Sequence, residues 1–342
     1  MDNQWSRFNG VVVIGGANID LRGKSGGELI RHTSNPGKVN ISTGGVGRNI
    51  AHNLALLNIP VVLLSAVGDD GEGIKILEEL QKAGVNTDQM LISEQYPTGI
   101  YIAILNQKGE MEAGISDMPI LEEINIEYLR AKAFLIKESR FVVIDTNLSE
   151  ESIEYAVDLC NKVKVPLLME TVSVEKSKKL RNVLFGENWG NKFIDYMTPN
   201  QKELEAITSI KIENEKDLDK AIEKLRSRGV RNIIVTMGEK GVYLSSSSEY
   251  RREDNKDNKD YKDRKSSGNK FMSPFRGEVI DVTGAGDALV AGLVYGISKG
   301  YSIEVAARFG LAAAALTVSS KEAVRRDLAE GLLINRMERE ET

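Results

Sequence analysis

Short apolar runs of strand length alternate along the chain with stretches in which apolar residues recur at helical spacing. Helical spacing is clearest at residues 50–57 and 74–83, and Gly84 stops the second of these. Such alternation is typical of a parallel sheet covered by helices, so the pattern predicts an α/β fold. The apolar runs lie at residues 11–14, 61–64, 141–144, 165–169, 193–197, 233–235 and 242–244.

Two stretches depart from this alternation and are predicted to form a small β lid inserted into the core. Residues 98–105 alternate between apolar and polar side chains, as in a half-buried strand, and Gly109 turns the chain back. Residues 21–43 are rich in Gly, Ser, Asn and Lys and have weak periodicity. We expect one domain over residues 10–335, with lid pieces at about 21–43 and 97–118.

A charged segment at about residues 245–270 interrupts the pattern. Its acidic and basic residues nearly balance, and apolar residues are almost absent. Because such a segment buries too little surface to offset the entropy lost on ordering, we expect a mobile surface loop. A docking tail is the alternative interpretation.

The composition is that of an ordinary globular protein, with 41% hydrophobic and 28% charged residues among 342. The net charge of −5 argues against nucleic acid or an anionic membrane as the main partner. The single cysteine, Cys160, excludes an internal disulfide and a cysteine-built zinc site, and neither His32 nor His52 has a partner at metal-ligand spacing. No apolar run approaches a membrane span and no signal sequence is evident, so we expect a cytoplasmic protein.

Residues 281–287, DVTGAGD, carry most of the functional information and directly precede a small, apolar, helix-like run at 288–296. Unpaired N–H groups at a helix N-terminus attract anions, and glycine lets a phosphate approach the backbone closely. The carboxylate of Asp287 would repel a phosphate, but it could accept the proton of a hydroxyl that attacks phosphorus. The segment therefore indicates phosphoryl transfer to an alcohol. A simple helix cap is the alternative.

Asn200 and Glu203 stand at the start of a predicted helix that follows the apolar run at 193–197. Both side chains would share one face of that helix at the carboxyl edge of the sheet, where open α/β sheets bind ligands. An amide and a carboxylate there could hold hydrated Mg²⁺ against nucleotide phosphates. The alternative is an N-cap asparagine followed by a favourable first-turn glutamate.

Several further segments carry weaker signals. Residues 236–241, TMGEKG, would let the backbone approach a nucleotide, although a hairpin turn explains the glycines equally well. Asn18 and Asp20 follow the first strand and suit binding of vicinal hydroxyls, with turn stabilisation as the alternative. Residues 44–49, GGVGRN, lack the third glycine of a dinucleotide fingerprint, and residues 18–25 lack the first glycine of a P-loop.

Together, GGVGRN at 44–49 and DVTGAGD at 281–287 resemble, in order and separation, the two signatures of the ribokinase-like, PfkB-type carbohydrate kinases. The resemblance covers roughly residues 10–245 and 271–320, without the charged segment. It implies a Rossmann-like α/β core with a small inserted β lid. Within the family, the chain is most similar to pseudouridine kinases, on the strength of residues 34–38, 64–70, 109–110 and 116–118.

The resemblance, with the patterns above, also implies roles for single residues. Asp287 would be the catalytic base, and the backbone of Gly284, Ala285 and Gly286 would form the anion hole. Many relatives have Asp-Pro where this chain has Glu170-Thr171, so the reach of Glu170 toward a metal differs from theirs. The other expected roles are acceptor binding by Asn18, Asp20, Gly45 and Asn49, ATP binding by Asn200, Thr236, Gly238 and Gly241, Mg²⁺ binding through water by Glu203, and binding of a monovalent cation, K⁺ in some relatives, by Asp281 and Thr283.

The function implied by the resemblance is ATP-dependent phosphorylation of the ribose 5′-hydroxyl of pseudouridine, with lid closure excluding water. Ribose, a hexose or adenosine are alternative acceptors. A non-catalytic nucleoside-binding regulator is the alternative from another class, and the retention of Asp287 beside an intact glycine turn argues against it. Arg48, Lys38 and Asp117 are candidates for reading the base, and we consider a homodimer as the assembly.

Overall fold

The computed structural model, which describes residues 8–246 and 268–338, contains a large helix-covered sheet and a smaller second sheet. In chain order the strands are β1 (Val11–Ile14), β2 (Asn18–Ser25), β3 (Gly37–Gly44), β4 (Val61–Leu64), β5 (Ala66–Gly68), β6 (Leu91–Ser93), β7 (Ile100–Leu105), β8 (Met111–Asp117), β9 (Phe141–Asp145), β10 (Leu167–Glu170), β11 (Ile194–Met197), β12 (Val230–Thr236), β13 (Val242–Ser246) and β14 (Gly268–Met272). The α-helices are α1 (Val46–Leu56), α2 (Gly71–Lys82), α3 (Ile126–Ala131), α4 (Ala133–Glu138), α5 (Glu150–Val163), α6 (Val174–Phe185), α7 (Gln201–Thr208), α8 (Glu215–Arg226), α9 (Ala285–Ser298), α10 (Ile303–Val318) and α11 (Glu330–Glu338).

The larger sheet has the strand order β14-β13-β12-β11-β10-β9-β1-β4 and is parallel from β4 to β12. Val11 and Val13 pack into a core with α1, α9 and α10, while Val12 and Ile14 pack on the opposite face with α5 to α8. Because both faces are buried, β1 and β4 are apolar at every position, and β9 and β10 are apolar except for the acidic residue that ends each strand, as the sequence pattern indicated. The predicted α/β fold class is confirmed. The run at 242–244 differs from a parallel strand, since β13 pairs antiparallel with both β12 and β14.

The second sheet, which we call the lid, has the strand order β3-β2-β7-β8. Only three residues separate the end of β1 from the start of β2, so the chain enters the lid directly from the carboxyl edge of the main sheet. Asn18 and Asp20, which precede the lid piece predicted at about residues 21–43, lie in the lid strand β2, so this part of the lid starts earlier than predicted. The polar sequence NIDLRGKS still forms a strand because β2 pairs along its length with β3 and β7.

Side-chain caps fix where several helices begin. Asp70 accepts a hydrogen bond from the N–H of Gly73 at 2.7 Å, so α2 begins at Gly71, before the apolar periodicity that starts at residue 74. The charged segment predicted as a mobile loop lies mostly at residues 247–267, outside the described part of the chain. Among the helices of residues 8–246 and 268–338, none is long and apolar enough to cross a bilayer.

Candidate active site

The predicted catalytic and acceptor-binding residues meet where the carboxyl edge of the main sheet faces the lid. Asp20 on β2 lies against the end of β3, just before α1, because a Cβ atom on Gly44 would come within 2.4 Å of its carboxyl group. The carboxyl groups of Asp20 and Asp145 are close enough to Asp287 to raise its pKa, and Asp287 in turn raises the pKa of Glu170. Residues from β2, β9, β10 and α9 therefore share one acidic site.

A chain of hydrogen bonds holds Asn49 against Asp287. Asn49, in the first turn of α1, donates from Nδ2 to Oδ2 of Asp287 at 2.8 Å. Arg48 donates to Oδ1 of the same amide at 3.0 Å, which assigns the nitrogen of that amide to the side facing Asp287. Arg48 is 3% exposed and forms an ion pair with Glu79 at 3.0 Å, and Thr43 donates to the same glutamate oxygen at 2.6 Å. The chain of contacts thus runs from α2 to the first turn of α9.

The carboxyl group of Asp287 is placed where it can exchange a proton near neutral pH. Burial raises the pKa of Asp287 to about 7, while the hydrogen bond from Asn49 opposes this increase and the charges of Asp145 and Asp20 add to it. The side chain is still partly open to solvent. A carboxyl group with this pKa suits general base catalysis at physiological pH.

The N-terminus of α9 has the features of an anion-binding site. Gly284 has a φ of 75°, and a Cβ atom there would lie 1.9 Å from the carbonyl oxygen of Ala323, so only glycine fits. Within the described residues no side chain caps this helix, and the N–H of Ala285 makes only a 3.3 Å bond to Val282. Gly286 is exposed, with open space where a side chain would stand. Uncapped N–H groups beside open space can receive an anion.

The predicted acceptor-binding residues Asn18, Asp20 and Gly45 lie where the lid strands β2 and β3 meet the start of α1. Asn18 donates to Oδ1 of Asp20 at 2.7 Å. Burial raises the pKa of Asp20, and this hydrogen bond and the nearby arginines oppose the increase. Gly45 has a φ of 98°, and a Cβ atom on it would meet the carbonyl oxygen of Gly16 at 2.4 Å, so glycine is required for the close approach of α1 to the turn after β1. Acceptor binding by these residues stays a prediction.

Glu170 and Glu203 form the acidic side of the site that a divalent cation would fit. Burial raises the pKa of Glu170 well above its usual range, and the carboxylates of Glu203 and Asp287 raise it further although the Thr198 hydroxyl donates to it. Mutual repulsion of this kind is relieved by a cation. The described residues contain no group of three or more side chains placed to hold a metal by themselves. Mg²⁺ would therefore be held together with water and phosphate oxygens, as expected for Glu203.

Asn200 and Glu203 form the reciprocal helix cap that the sequence offered as the alternative. Asn200 accepts from the N–H of Glu203 at 2.9 Å, and Glu203 accepts from the N–H of Asn200 at 2.9 Å. The same Glu203 oxygen also accepts from the Thr171 hydroxyl at 2.6 Å. The cap fixes both side chains at the carboxyl edge of the sheet. Asn200 and Glu203 therefore have a structural role, and any binding of phosphate or metal by these residues would be a second role.

The predicted ATP-binding segment lies beside that cap. Thr236 at the end of β12 forms an isolated β-bridge with Asn200. Gly241 has a φ of 90°, and a Cβ atom there would lie 2.1 Å from the carbonyl oxygen of Met272, so it is needed for the turn into β13. Gly238 is exposed and open. The structure therefore gives Gly241 the hairpin role, and it leaves ATP binding by this segment a prediction.

The side chains predicted to bind a monovalent cation already contact a cationic residue. Arg22 of β2 forms an ion pair with Asp281 at 3.0 Å and donates to the hydroxyl of Thr283. That hydroxyl donates in turn to Asp281 at 2.6 Å. Sequence analysis did not identify Arg22, because nothing in the sequence pattern distinguishes it from other basic residues of the lid.

Residues 9–328 match the family model described as pfkB family carbohydrate kinase, which is most of the chain. The chain belongs to the PfkB family of carbohydrate kinases. It is therefore a sugar or nucleoside kinase, and the predicted enzyme class is confirmed. The family assignment also disfavours the alternative of a non-catalytic regulator.

Relatives of this PfkB kinase act on different nucleosides and sugars. The chain is 34% identical over 331 residues to the pseudouridine kinase of Escherichia coli strain K12, with 97% of each protein covered. It is 27% identical to the guanosine-inosine kinase of Exiguobacterium acetylicum, covering 92% of this chain and 96% of the relative. The structure of Arabidopsis thaliana ribokinase complexed with ribose and ATP matches with a TM-score of 0.80 at 22% identity, over 96% of this chain and 99% of that one. At that identity the likeness shows the fold alone.

Asp145 is a residue of the kinase site that sequence analysis missed. It is fully buried at the end of β9 and accepts from the N–H groups of Gly16 at 2.8 Å, Gly47 at 2.9 Å and Asn147 at 2.8 Å. Burial raises its pKa, and these hydrogen bonds oppose the increase. Asp145 thus ties the turn after β1 to the start of α1. The available signal was an acidic residue directly after the apolar run at 141–144.

The candidates for reading the base of a nucleoside lie in three different environments. Arg48 is buried and bound to Asn49 and Glu79, so it positions Asn49 instead. Asp117 pairs with Ile100, whereas Asp20 aligns with Tyr101, the next residue of β7. Because successive residues of a strand project from opposite faces, Asp117 lies on the face of the lid opposite to Asp20 and away from the site. These positions disfavour base reading by Arg48 and Asp117, and the role of both residues in reading the base stays a prediction. Lys38 is exposed and shares the face of Asp20 at the far end of the lid.

Proposed function

We propose that this PfkB kinase transfers the γ-phosphoryl group of ATP to the ribose 5′-hydroxyl of pseudouridine. The observation that carries the proposal is the position of Asp287, whose carboxyl group has a pKa of about 7 beside an uncapped helix N-terminus. A base and an anion-binding site in contact are the two groups that phosphoryl transfer to an alcohol requires. The identity to a pseudouridine kinase, 34% over 97% of both chains, supports this choice of acceptor.

In the proposed reaction Asp287 accepts the proton of the 5′-hydroxyl while its oxygen bonds to the γ-phosphorus. The bond from that phosphorus to the β-phosphate oxygen breaks, and ADP leaves. The N–H groups around Gly284, Ala285 and Gly286 would stabilise the charge on the transferring oxygens. Asn18, Asp20 and Asn49 would orient the ribose, and the lid would exclude water.

Mg²⁺ fits beside Glu170 and Glu203, where carboxylates crowd at the carboxyl edge of the sheet. A bound magnesium ion neutralises phosphate charge during transfer. Glu203 would hold it through water, while Asn200 and Thr236, with the exposed turn at Gly238, would lie along ATP. K⁺ was expected at Asp281 and Thr283, where Arg22 of the chain already supplies a positive charge.

The acceptor is tested by comparing pseudouridine with its isomer uridine, with adenosine, guanosine and inosine, and with ribose and a hexose. We expect kcat/KM for pseudouridine to exceed that for uridine by about tenfold or more, the scale of one net hydrogen bond to the base. ADP release is measured with each acceptor at equal ATP. Uridine is the matched control, because it differs only in which base atom bears the ribose. A preference for ribose or for a purine nucleoside would replace the proposed acceptor, and nucleoside binding without ADP formation would revive the regulator.

We further propose that the kinase is a homodimer joined through the outer face of the lid. On that face Ile41 pairs with Leu21, Leu21 with Ile102, and Ile102 with Ile115. Ile41 is 57% exposed and Ile115 is 59% exposed. The opposite face of the lid carries Asp20 and the polar residues that face the site. An exposed apolar face on one side of a sheet is typical of a protein interface.

The dimer is tested by replacing Ile41 with lysine and measuring mass in solution by light scattering or sedimentation. We expect the wild type to be a dimer. The dissociation constant of the Ile41→Lys dimer should be at least about tenfold higher, because a buried charge replaces an apolar contact. Ile74→Lys is the matched control, since Ile74 is 55% exposed on α2 and lies outside the lid. A monomeric wild type, or equal dissociation of both variants, contradicts the proposal.

A further inference from the structure

An ion pair joins the lid to the loop that precedes the anion-binding helix. Arg22 of β2 places Nη1 3.0 Å from Oδ2 of Asp281, and its Nη2 donates to the hydroxyl of Thr283. The Thr283 hydroxyl donates to Oδ1 of Asp281 at 2.6 Å, and the Thr283 N–H donates to the same oxygen at 2.9 Å. The three residues form a closed network in which both carboxylate oxygens of Asp281 are used.

The loop that carries this network is fixed from two sides. On one side, the N–H groups of Ile280 and Asp281 both donate to the carbonyl oxygen of Val318 at the end of α10, at 2.7 and 3.2 Å. On the other side, Arg22 holds the side chain of Asp281. Gly284, three residues after Asp281, begins the uncapped first turn of α9. The position of residues 280–283 therefore sets the position of the N–H groups in that turn.

Arg22 is also tied to the acceptor side of the site. It lies two residues after Asp20 on β2, and alternate residues of a strand project from the same face. Asp281 is therefore paired with the same lid strand that carries Asp20.

These contacts do not fit a bound monovalent cation at Asp281 and Thr283. A cation would need the carboxylate of Asp281 and the hydroxyl oxygen of Thr283 as ligands, and both accept hydrogen bonds from Arg22. An added K⁺ would share those oxygens with a guanidinium of the same charge. Like charges on shared oxygens repel, so the two occupants exclude each other.

We propose that Arg22 takes the place of a monovalent cation at Asp281 and Thr283 and so positions the loop before α9 without K⁺. Arg22 is a positioning residue in this proposal, because it acts through the loop. The positive charge comes from the lid, so this one of the two contacts that fix the loop is present only while the lid lies over the site. The inference rests on kinase activity and does not depend on which acceptor the enzyme uses.

The test compares wild type with Arg22→Gln in chloride salts of potassium, sodium and choline at equal ionic strength. Turnover is followed with the best acceptor by direct chromatography of ADP, so that no coupling enzyme responds to the salt. We expect wild-type turnover to agree within about twofold across the salts. Arg22→Gln should lose about tenfold in choline, a usual size for coupling between sites, and should recover most of it in potassium. Arg22→Lys, which keeps the charge, should behave like wild type.

A second readout needs no substrate. The thermal unfolding midpoint of Arg22→Gln should rise in potassium relative to choline, because a cation that binds the folded state stabilises it, whereas that of wild type should not. Adding Asp281→Asn to Arg22→Gln should remove this rise. Lys24→Gln is the matched control, since Lys24 lies two residues further along the same strand face and its loss should not create a response to potassium.

Three results would overturn the proposal. One is a wild type that potassium activates by more than about fivefold, within the range expected of a cation effector. Another is an Arg22→Gln variant as active as wild type in choline. The third is equal impairment of this variant in every salt, with no thermal response to potassium. If every acceptor tested were inactive, the thermal measurement would still decide the role of Arg22 while the proposed reaction failed.

Discussion

Replacing Asp287 with asparagine is expected to lower turnover by roughly 10²–10⁴-fold, the usual contribution of a positioned general base. The amide keeps the shape of the side chain and can still accept the hydrogen bond that Asn49 donates at 2.8 Å. It cannot take the proton of the acceptor hydroxyl. The loss should therefore appear in kcat, measured by ADP release, while acceptor affinity measured by calorimetry changes little.

Stability separates this effect from misfolding. The pKa of Asp287 is raised in the folded protein from 3.8 to about 7, so the folded state favours the protonated form. The free energy that the protonated form contributes to folding is fully present at pH values below 3.8, the pKa of the unfolded state. It is lost as the pH rises through about 7, the pKa of the folded state. At pH 8, Asp287→Asn should thus unfold at the same temperature as wild type or a higher one. Near-normal turnover in this variant would remove the assigned base.

The same pKa shift gives the wild-type pH dependence. Asp287 is active as a base only when ionised, so kcat/KM for the acceptor should rise with pH and level off above about 7. Asp287→Asn should lose this rise along with most of its activity. Other carboxyl groups of the site, such as Glu170, also titrate, which makes the comparison with the variant necessary.

The fold was predictable because its central strands are buried on both faces. Val11–Ile14 and β4 beside it are apolar at every position, and β9 on the other side is apolar up to Asp145, a pattern that no exposed strand produces. The turn at residues 281–287 was equally readable, since its glycines precede an apolar helix directly. Local patterns of this kind are set within a few residues, so a single sequence contains them.

The lid strand β2 was harder to read. Asn18–Ser25 has few apolar residues, because one face of the strand lies against the polar site and much of the strand is only partly buried. Its structure comes from pairing with β3 and β7, and β7 starts more than seventy residues later. The predicted lid piece therefore started at about residue 21, after Asn18 and Asp20, although both residues were predicted to belong to the site.

Contacts between distant parts of the chain account for the rest. Asn49 and Asp287 are 238 residues apart and were related to one site only through the family resemblance. Arg22 and Asp281, 259 residues apart, were not related at all. A single sequence contains no signal for such pairs, since an arginine on a polar strand has many ways to be solvated. The ion pair of buried Arg48 is a further example, because its partner Glu79 lies 31 residues away.

The anion-binding turn can be tested by replacing Gly286 with alanine. Gly286 lies in the first turn of α9, and a Cβ atom on it would meet nothing within 4 Å. The protein should tolerate the methyl group, and alanine is favoured over glycine within helices by up to about 1 kcal/mol. A phosphate approaching the N–H groups would meet that methyl group. We therefore expect kcat/KM for ATP to fall roughly 10²-fold or more, the scale on which one anion-hole donor contributes.

Gly71→Ala is the matched control for this change. Gly71 is the first residue of α2, and a Cβ atom there also meets nothing within 4 Å, so the same methyl group is added at the start of another helix. Both variants should unfold at the wild-type temperature or above it, and only Gly286→Ala should lose activity. Gly284→Ala would be a poorer test, because a Cβ atom at that position collides with the carbonyl oxygen of Ala323 at 1.9 Å and would disturb the fold itself. Full activity of a well-folded Gly286→Ala variant would place the transferring phosphate elsewhere than at the N-terminus of α9.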